Sequence, residues 1–146
     1  MSAYDKAVDL LTRREHTEKE LRQKLSEKGF GESEITNAVN TLKCEGYLSD
    51  SRYAEVFVRS RLRKSAEGKP LLMMRLTEKG VDRNIASELI NSAWDNEEYL
   101  PSLRGEWCKL YRKYGAEKAE AKLRAKGFSS SEIAKVKEER SEDTEE

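Results

Sequence analysis

Apolar residues recur every three or four positions along most of the chain, which is the spacing of one face of an α-helix. Leu21 and Leu25, for example, lie one helical turn apart among charged side chains. No stretch alternates strictly between apolar and polar residues, so the pattern favours no β-strand. It predicts helices at 3–15, 17–28, 32–45, 50–64, 69–79, 82–94, 97–114, 116–126 and 130–140.

One short ending occurs three times. The segment KLSEKGF at 24–30 returns as RLTEKGV at 75–81 and as KLRAKGF at 122–128. Each copy has a leucine four residues before the glycine and an apolar residue directly after it. In a Schellman ending, a glycine in the left-handed conformation stops the helix, and the next apolar residue packs back onto the last turn. Each copy is therefore interpreted as a helix C-terminus.

Signals for helix starts agree with these stops. Thr17-Glu-Lys-Glu20 and Ser129-Ser-Ser-Glu132 match the capping box, in which a hydroxyl and a carboxylate satisfy free backbone N–H groups. Pro70 suits the first turn of a helix, and Asp82 can cap the helix that follows. Helix, stop and new helix thus alternate along the whole chain.

The stop glycines Gly29, Gly80 and Gly127 are 51 and 47 residues apart, a spacing that suits three-helix repeats. The sequence therefore predicts an all-α fold, with three tandem three-helix repeats forming an elongated, curved helical array. The predicted repeats cover residues 1–48, 49–95 and 96–140. An acidic tail at 141–146 has no apolar residue and is expected to be disordered.

Charge is balanced overall but unevenly distributed. The chain has 28 basic and 28 acidic residues, yet the middle third, residues 51–94, has nine basic against five acidic side chains. Such a segment could face an anionic partner, or it could be an ordinary solvated helix face. No apolar run is long enough to span a bilayer and no secretory signal is visible, so a cytoplasmic protein is expected. Cys44 and Cys108 are expected to be buried, reduced thiols.

Signatures of enzymes are scarce. His16 is the only histidine, which excludes a metal site with several histidines, and its place before the Thr17 cap predicts a local structural role. There is no phosphate-binding loop, no nucleophile elbow and no carboxylate cluster with metal-ligand spacing. We therefore expect no catalytic residue, no cofactor and no metal.

The junction between the first two repeats is the most distinctive stretch. In Gly46-Tyr-Leu-Ser-Asp50 and Ser51-Arg-Tyr-Ala54, the glycine ends a helix, Tyr47 and Leu48 are expected to pack into the junction, and Ser49 or Asp50 caps the next helix. These residues resemble the signature phrase of the RecX family, the regulators of RecA recombinase. The motif residues are Gly46, Tyr47, Leu48, Asp50, Arg52 and Ala54. His16-Thr-Glu-Lys-Glu-Leu21, Arg59-Ser-Arg61 and Tyr114-Gly115 are similar to further phrases of that family, in the same order.

The resemblance implies a non-enzymatic regulator that acts as a monomer. It would bind RecA, lie along the groove of the RecA filament on DNA, and restrain recombinase, ATPase and coprotease activities in DNA repair and the SOS response. Nucleic acid within the filament would give the basic middle segment a partner. The candidate contacts for RecA or DNA are Arg52, Arg59, Arg61, Arg63, Lys64, Arg75, Lys79 and Arg83.

Other interpretations remain open at this point. Each candidate cation could be solvated surface or part of an ion pair within a helix. Trp107, Tyr111 and Tyr114 recur at helical spacing and are expected in the core, as is Tyr47. A DNA-binding module of the helix-turn-helix type is the main alternative function, with weak DNA affinity possible, although the starts Gly31-Glu-Ser33 and Asp82-Arg-Asn84 are acidic or mixed. A generic helical adaptor is the third possibility.

Overall fold

The computed structural model describes residues 1–145, and helices form all of the regular secondary structure there. The all-α prediction is therefore confirmed, with no strand in this part of the chain. Its helices are α1 Ala3–Arg13, α2 Glu18–Glu27, α3 Glu32–Cys44, α4 Asp50–Lys64, α5 Lys69–Glu78, α6 Arg83–Asp95, α7 Leu100–Tyr114, α8 Ala116–Ala125 and α9 Ser130–Glu145.

Two helix ends differ from the prediction by three residues or more, and the other ends agree within two residues. α7 begins at Leu100 instead of residue 97, because Pro101 has no N–H and is best accommodated in the first turn of a helix. α9 continues to Glu145, whereas an end near residue 140 was predicted. Glutamate and arginine propagate a helix well once it has begun, which accounts for the longer element. Glu146 lies outside the described residues, and the disorder of the tail stays a prediction.

The chain divides into two compact units. Unit 1 comprises residues 1–56 and 75–86, and unit 2 comprises residues 57–74 and the chain from 87 onward. Residues of the second helix triplet, α4 to α6, therefore occur in both units. The predicted repeat bounds at 48, 95 and 140 stay predictions.

Unit 1 is built on the apolar faces of α1, α2 and α3. Its core combines leucines from each helix with small and β-branched residues, all with less than a tenth of their surface exposed: Ala7, Leu10, Leu21, Leu25, Ile35, Val39, Leu42 and Leu48. Tyr4, Val8, Leu11 and Phe30 pack against this core from its edge. The apolar residues that recur at helical spacing in the sequence thus form one continuous core in unit 1.

Unit 2 has an aromatic core. Trp107 is buried among leucines of α7, and the Trp94 and Tyr99 rings stack with centroids 4.7 Å apart. Trp94 Nε1 donates to the carboxylate of Glu132, which joins α6 to the start of α9. The prediction that Trp107 is a core residue is confirmed. It is wrong for Tyr111 and Tyr114, which are 39% and 37% exposed, because both lie on the outer face of α7.

All three repeated endings are Schellman stops. Gly29, Gly80 and Gly127 have φ of 91°, 94° and 94°, in the left-handed region that favours glycine. In each copy the N–H of the residue after the glycine donates to the carbonyl of the leucine four residues before the glycine. These distances are 3.3, 3.0 and 3.2 Å in chain order. The predicted punctuation is confirmed.

The second and third stops also join one helix triplet to the next. In unit 1, the Thr17 hydroxyl at the start of α2 donates to the Lys79 carbonyl at 2.6 Å. In unit 2, the Gly68 N–H, just before α5, donates to the Lys126 carbonyl at 2.8 Å. Lys79 and Lys126 each stand directly before a stop glycine, so equivalent carbonyls accept from equivalent helix starts. The interlock satisfies acceptors that a helix end otherwise leaves without a partner.

Both interlocks bring the chain very close to its neighbour. A Cβ atom on Gly80 would lie 2.6 Å from Cβ of Lys19, and one on Gly68 would lie 2.1 Å from the Gly127 carbonyl oxygen. A Cβ atom does not approach another carbon or oxygen atom so closely. Only glycine therefore fits at both positions without a shift of the neighbouring chain. Gly29, in the first copy, has no atom within 4 Å of the same point.

His16 and the capping residues hold the α1–α2 connection. Thr17 and Glu20 form the predicted capping box, as do Ser129 and Glu132 in unit 2. His16 is 1% exposed, with Nδ1 at 3.0 Å from the Arg14 carbonyl and Nε2 at 2.8 Å from Lys24 Nζ. The neutral tautomer with a proton on Nδ1 satisfies both contacts. Its predicted structural role is confirmed.

The cysteines depart from their predicted state in one respect. No disulfide joins them, but Cys44 is exposed and Cys108 is half-buried instead of both being buried. Cys44 is the last residue of α3, where the helix leaves the core of unit 1. Spacing in the sequence placed these thiols on helices but did not determine which face they occupy.

Replacing Gly80 with alanine should destabilise the protein much more than replacing Gly29. Both variants impose a left-handed conformation on alanine, at about 1–2 kcal/mol. Only Gly80→Ala adds a steric conflict with α2, worth roughly 1–3 kcal/mol more. Urea unfolding followed by circular dichroism measures both free energies. Equal losses for the two variants would contradict the interlock.

His16 should make the stability depend on pH below neutrality. Burial lowers the pKa of His16 below its usual value of 6.5, and the nearby Arg14 and Lys24 charges add to this. As the pH falls through 6.5, His16 binds a proton in the unfolded chain but stays neutral in the folded protein. The free energy of unfolding is therefore highest above pH 6.5 and decreases below it. Unfolding free energies at pH 7.5, 6.5 and 5.5 should decline for the wild type and stay level for His16→Asn.

Glu20 does not contribute to the change in unfolding free energy expected between pH 7.5 and 5.5. Burial raises the pKa of Glu20, but the Thr17 N–H and the Arg14 guanidinium outweigh it and hold the pKa below 4.5. Its contribution is lost only at lower pH, outside the measured range. The same pH slope in His16→Asn as in the wild type would assign the effect to another group.

Candidate partner-binding surface

The junction after α3 is a fourth helix stop. Gly46 has φ of 79°, its N–H donates to the Lys43 carbonyl, and the Tyr47 N–H donates to the Leu42 carbonyl at 2.9 Å. Leu48 is 3% exposed and Ala54 is fully buried, so both pack in the core as their apolar character predicts. The motif that distinguishes this sequence is first of all a structural element.

Ser49 and Asp50 cap two different helices, α4 and α2. The Ser49 hydroxyl accepts from the Arg52 N–H at 3.2 Å, so Ser49 caps α4. Asp50 Oδ1 accepts instead from the Glu18 N–H at 2.8 Å, at the start of α2. The sequence did not predict this second cap, because Asp50 and Glu18 are 32 residues apart. Asp50 thereby fixes the junction onto the first helix pair.

Arg52 holds the junction together. Its Nε donates to Glu15 Oε1 at 2.6 Å, and its two terminal nitrogens donate to the carbonyls of Gly46 and Tyr47, both at 2.9 Å. A guanidinium with several donors in fixed directions suits such a set of acceptors. Arg52 was predicted as a partner contact, and the structure engages it within unit 1. Glu15, which the sequence did not single out, is its anchor.

Tyr47 was expected in the core, and this prediction is wrong because 58% of the residue is exposed. The apolar residue after each of the other stops packs inward: Val81 and Phe128 are buried and Phe30 is half-buried. At the junction Leu48 fills that role, since its N–H also donates to the Leu42 carbonyl. The tyrosine ring is left at the surface.

Three of the candidate cations are exposed on the C-terminal part of α4, in unit 2. Arg59, Arg63 and Lys64 are exposed, and Arg59 and Arg63 line a shallow cleft that Glu98 and Ser102 also border. Arg61 differs from these three. Its guanidinium is 3.2 Å from Glu67 Oε1, whose residue is only 6% exposed, and 5.4 Å from the centre of the Phe57 ring. It compensates a buried carboxylate.

The remaining candidates belong to unit 1. Arg75 is half-buried, and Lys79 lies 3.8 Å from Glu20 Oε2. Arg83 is exposed as the first residue of α6, whose N-terminus Asp82 caps through the Asn84 N–H. The predicted cations are divided between the two units: Arg59, Arg61, Arg63 and Lys64 belong to unit 2, and Arg52, Arg75, Lys79 and Arg83 belong to unit 1.

Among the described residues, no group of three or more histidine, cysteine, aspartate or glutamate side chains could hold a metal ion. Over the same residues, no helix combines the length and the apolar character that crossing a bilayer requires. The candidate site is thus a set of surface side chains on helices.

Helix triplets linked by Schellman stops define this chain as a tandem helical-repeat protein, a class that presents surfaces to its partners. Two family models match it: the first three-helix domain of RecX over residues 3–42, and the second three-helix domain over residues 49–90. Together these models cover more than half of the chain, which belongs to the RecX family.

Individual relatives agree. The regulatory protein RecX of Legionella pneumophila is 30% identical over 140 residues, covering 92% of this chain and 91% of that protein. The one from Chlorobium phaeobacteroides is 34% identical over 139 residues, covering 90% and 88%. A Clostridium acetobutylicum relative is longer: the match has 31% identity and covers 66% of its length. The crystal structure of RecX from Lactobacillus salivarius superposes with a TM-score of 0.83 at 27% identity, covering 94% and 93% of the two chains.

Replacing Arg52 with alanine should cost about 1–3 kcal/mol of unfolding free energy, because two carbonyls and a largely buried carboxylate lose their donor. Arg52→Lys should restore only part of the loss, since an ammonium cannot reach three separated acceptors. Arg13→Ala is the matched control, because Arg13 makes a surface ion pair with Asp9 at 69% exposure. It should change the free energy by less than about 0.5 kcal/mol. Urea unfolding measures all three, and a similar loss for Arg13→Ala and Arg52→Ala would contradict this role.

Proposed function

We propose that this protein binds RecA and its nucleoprotein filament and restrains the filament's recombinase, ATPase and coprotease activities in DNA repair and the SOS response. It acts in the cytoplasm as a monomer and without catalysis of its own. Membership of a family whose curated members are named as regulatory proteins supports a regulatory role. The RecA partner is what the family resemblance implies.

The observation that carries the proposal is the placement of charge on α4. In a protein with no net charge, three exposed cations of the candidate set, Arg59, Arg63 and Lys64, lie within six residues of one helix. Cations that reach phosphates displace condensed counterions, which gives a salt-sensitive attraction to nucleic acid without reading its bases. A filament that exposes DNA phosphates beside protein offers such a partner.

Direct recognition of a DNA sequence is the second candidate function. A reading helix places amide and guanidinium side chains against base edges. Here α3 begins with Glu32, Ser33 and Glu34, all exposed, and acidic groups at this position would face the DNA. The acidic start of α3 therefore argues against this helix as a reader of DNA bases.

The function is tested by measuring DNA-dependent ATP hydrolysis on RecA filaments assembled beforehand, with this protein added at increasing ratios. We expect hydrolysis to fall and filaments to shorten as the ratio approaches one protein per RecA. Unchanged hydrolysis and unchanged filament length at stoichiometric protein would refute the proposal. Equal binding to DNA with and without RecA would favour the DNA-binding alternative.

Reversing the exposed charges of α4 should weaken filament binding and flatten its dependence on salt. The variant Arg59→Glu/Arg63→Glu/Lys64→Glu leaves Arg61 in place, because its loss would uncover Glu67. Each phosphate contact removed should lower the slope of log affinity against log salt by about 0.9. Lys109→Glu/Arg112→Glu/Lys118→Glu changes the net charge equally, at exposed positions of α7 and α8. Titrations at several salt concentrations should separate the two variants, and equal losses would mean that only total charge matters.

A further inference from the structure

A second surface, on unit 1, has the opposite character. A groove of about 680 Å³ runs between α1 and the junction after α3. We call it the α1 groove and define it by its two tyrosines, two carboxylates and two aliphatic side chains: Tyr4, Tyr47, Asp5, Glu15, Val8 and Leu11. All of these residues belong to unit 1, whereas the cationic end of α4 belongs to unit 2.

Tyr47 is available for a ligand because more than half of the residue is exposed and it lines the groove. At the other three stops the residue in the same position packs against its own unit, whereas Tyr47 is 58% exposed and Leu48 has taken over the packing. A large aromatic ring held at the surface by a rigid turn is a common feature of binding sites, since little entropy is lost when it is covered.

Glu15 has one carboxylate oxygen without a hydrogen-bond donor among the described residues. Its Oε1 accepts from Arg52, but its Oε2 is buried in the groove wall with no hydrogen-bond partner within residues 1–145. A buried carboxylate oxygen without a donor is unfavourable, so a ligand N–H group that reaches it would gain free energy.

The charge of the groove favours a positively charged ligand. Asp5 and Glu15 supply two carboxylates, and Arg52 supplies one guanidinium that already donates to Glu15, Gly46 and Tyr47. Glu45 stands at the edge and accepts from the Tyr4 hydroxyl at 2.8 Å. The groove therefore carries an excess of negative charge beside two aromatic rings.

We propose that the α1 groove binds an arginine side chain presented by an exposed segment of a partner protein. A guanidinium matches all three features, since it donates to carboxylates in a planar fork, is attracted to aromatic faces and covers the aliphatic floor with its stem. The phosphates of a nucleic acid would meet Asp5 and Glu15 and be repelled. The proposal goes beyond the regulation of RecA and does not depend on it.

The test uses the full chain, labelled with ¹⁵N, and a probe that isolates the guanidinium. The acetylated and amidated peptide Gly-Gly-Arg-Gly-Gly is titrated while amide chemical shifts are recorded. The same peptide with citrulline, which has the shape of arginine without its charge, is the paired probe. We expect saturable shifts at Gly46, Tyr47 and residues 4–15, with half-saturation in the millimolar range that suits one side chain, roughly 1–10 mM.

Variants assign the binding to the groove. Tyr47→Ala and Glu15→Gln should each weaken the arginine peptide by roughly fivefold. Tyr114→Ala and Glu117→Gln are the matched controls, because they make the same changes at exposed positions of unit 2 and should leave binding unchanged. Tyr47→Ala also guards against a folding artefact, since the exposed ring can be removed without opening the core.

Three results would overturn the proposal. Equal shifts with the arginine and citrulline peptides would show that charge is not recognised. Wild-type affinity in both Tyr47→Ala and Glu15→Gln would place the binding elsewhere. Saturable shifts of the same amides with a ten-residue oligothymidine would identify a nucleic-acid site. Because neither RecA nor DNA takes part in the peptide titrations, their outcome is separate from that of the filament experiment.

Discussion

The backbone carbonyl directly before a stop glycine is the acceptor on which this fold depends. At Lys79 it receives the Thr17 hydroxyl, and at Lys126 it receives the Gly68 N–H, so the end of one helix is completed by the start of another from the preceding triplet. Thr17 accepts from Glu20 at the same time, and therefore links the start of α2 to the end of α5. Helix termination and the joining of triplets coincide at two of the three repeated endings, those at Gly80 and Gly127.

The cations illustrate how one residue type serves two purposes. Arg52 and Arg61 each form an ion pair with a carboxylate, Glu15 and Glu67, whose side chains are 29% and 8% exposed, and would leave that charge uncompensated if they were recruited by a partner. Arg59, Arg63 and Lys64 are exposed on the neighbouring turns of α4. A proposal about RecA or DNA thus rests on three side chains of that helix, whereas Arg52 pairs within unit 1 and Arg61 pairs within unit 2.

Comparison among the four stops also separates structure from function at the junction. Three of them bury or half-bury the residue after the glycine, and the fourth exposes Tyr47 while Leu48 packs in its place. That exchange leaves an aromatic ring beside Glu15 and Asp5 on unit 1. The two surfaces carry opposite charge, which is consistent with a chain whose net charge is zero but whose charge is unevenly distributed.

The sequence by itself determined the helices, most of their ends, the Schellman stops and both capping boxes, because these depend on residues within about eight positions of each other. Family membership could be inferred from the ordered phrases, and the comparisons confirm it. The start of α7 was misplaced although Pro101 was visible, and the surface positions of Tyr47, Tyr111 and Cys44 were not foreseen. Helical periodicity places a side chain on a helix, but its burial depends on what packs against that face.

Only the tertiary structure decided which polar groups meet across the chain. Asp50 caps a helix that begins 32 residues earlier, Arg52 reaches Glu15 over 37 residues, and Thr17 reaches Lys79 over 62. Local propensity carries no information about such pairs, because a backbone donor or a guanidinium pairs with any carboxylate or carbonyl that packing brings within about 3 Å. The difference between Arg52 and Arg61, which pair with carboxylates, and the more exposed arginines therefore follows from packing, and the α1 groove exists only once α1 and the junction have come together.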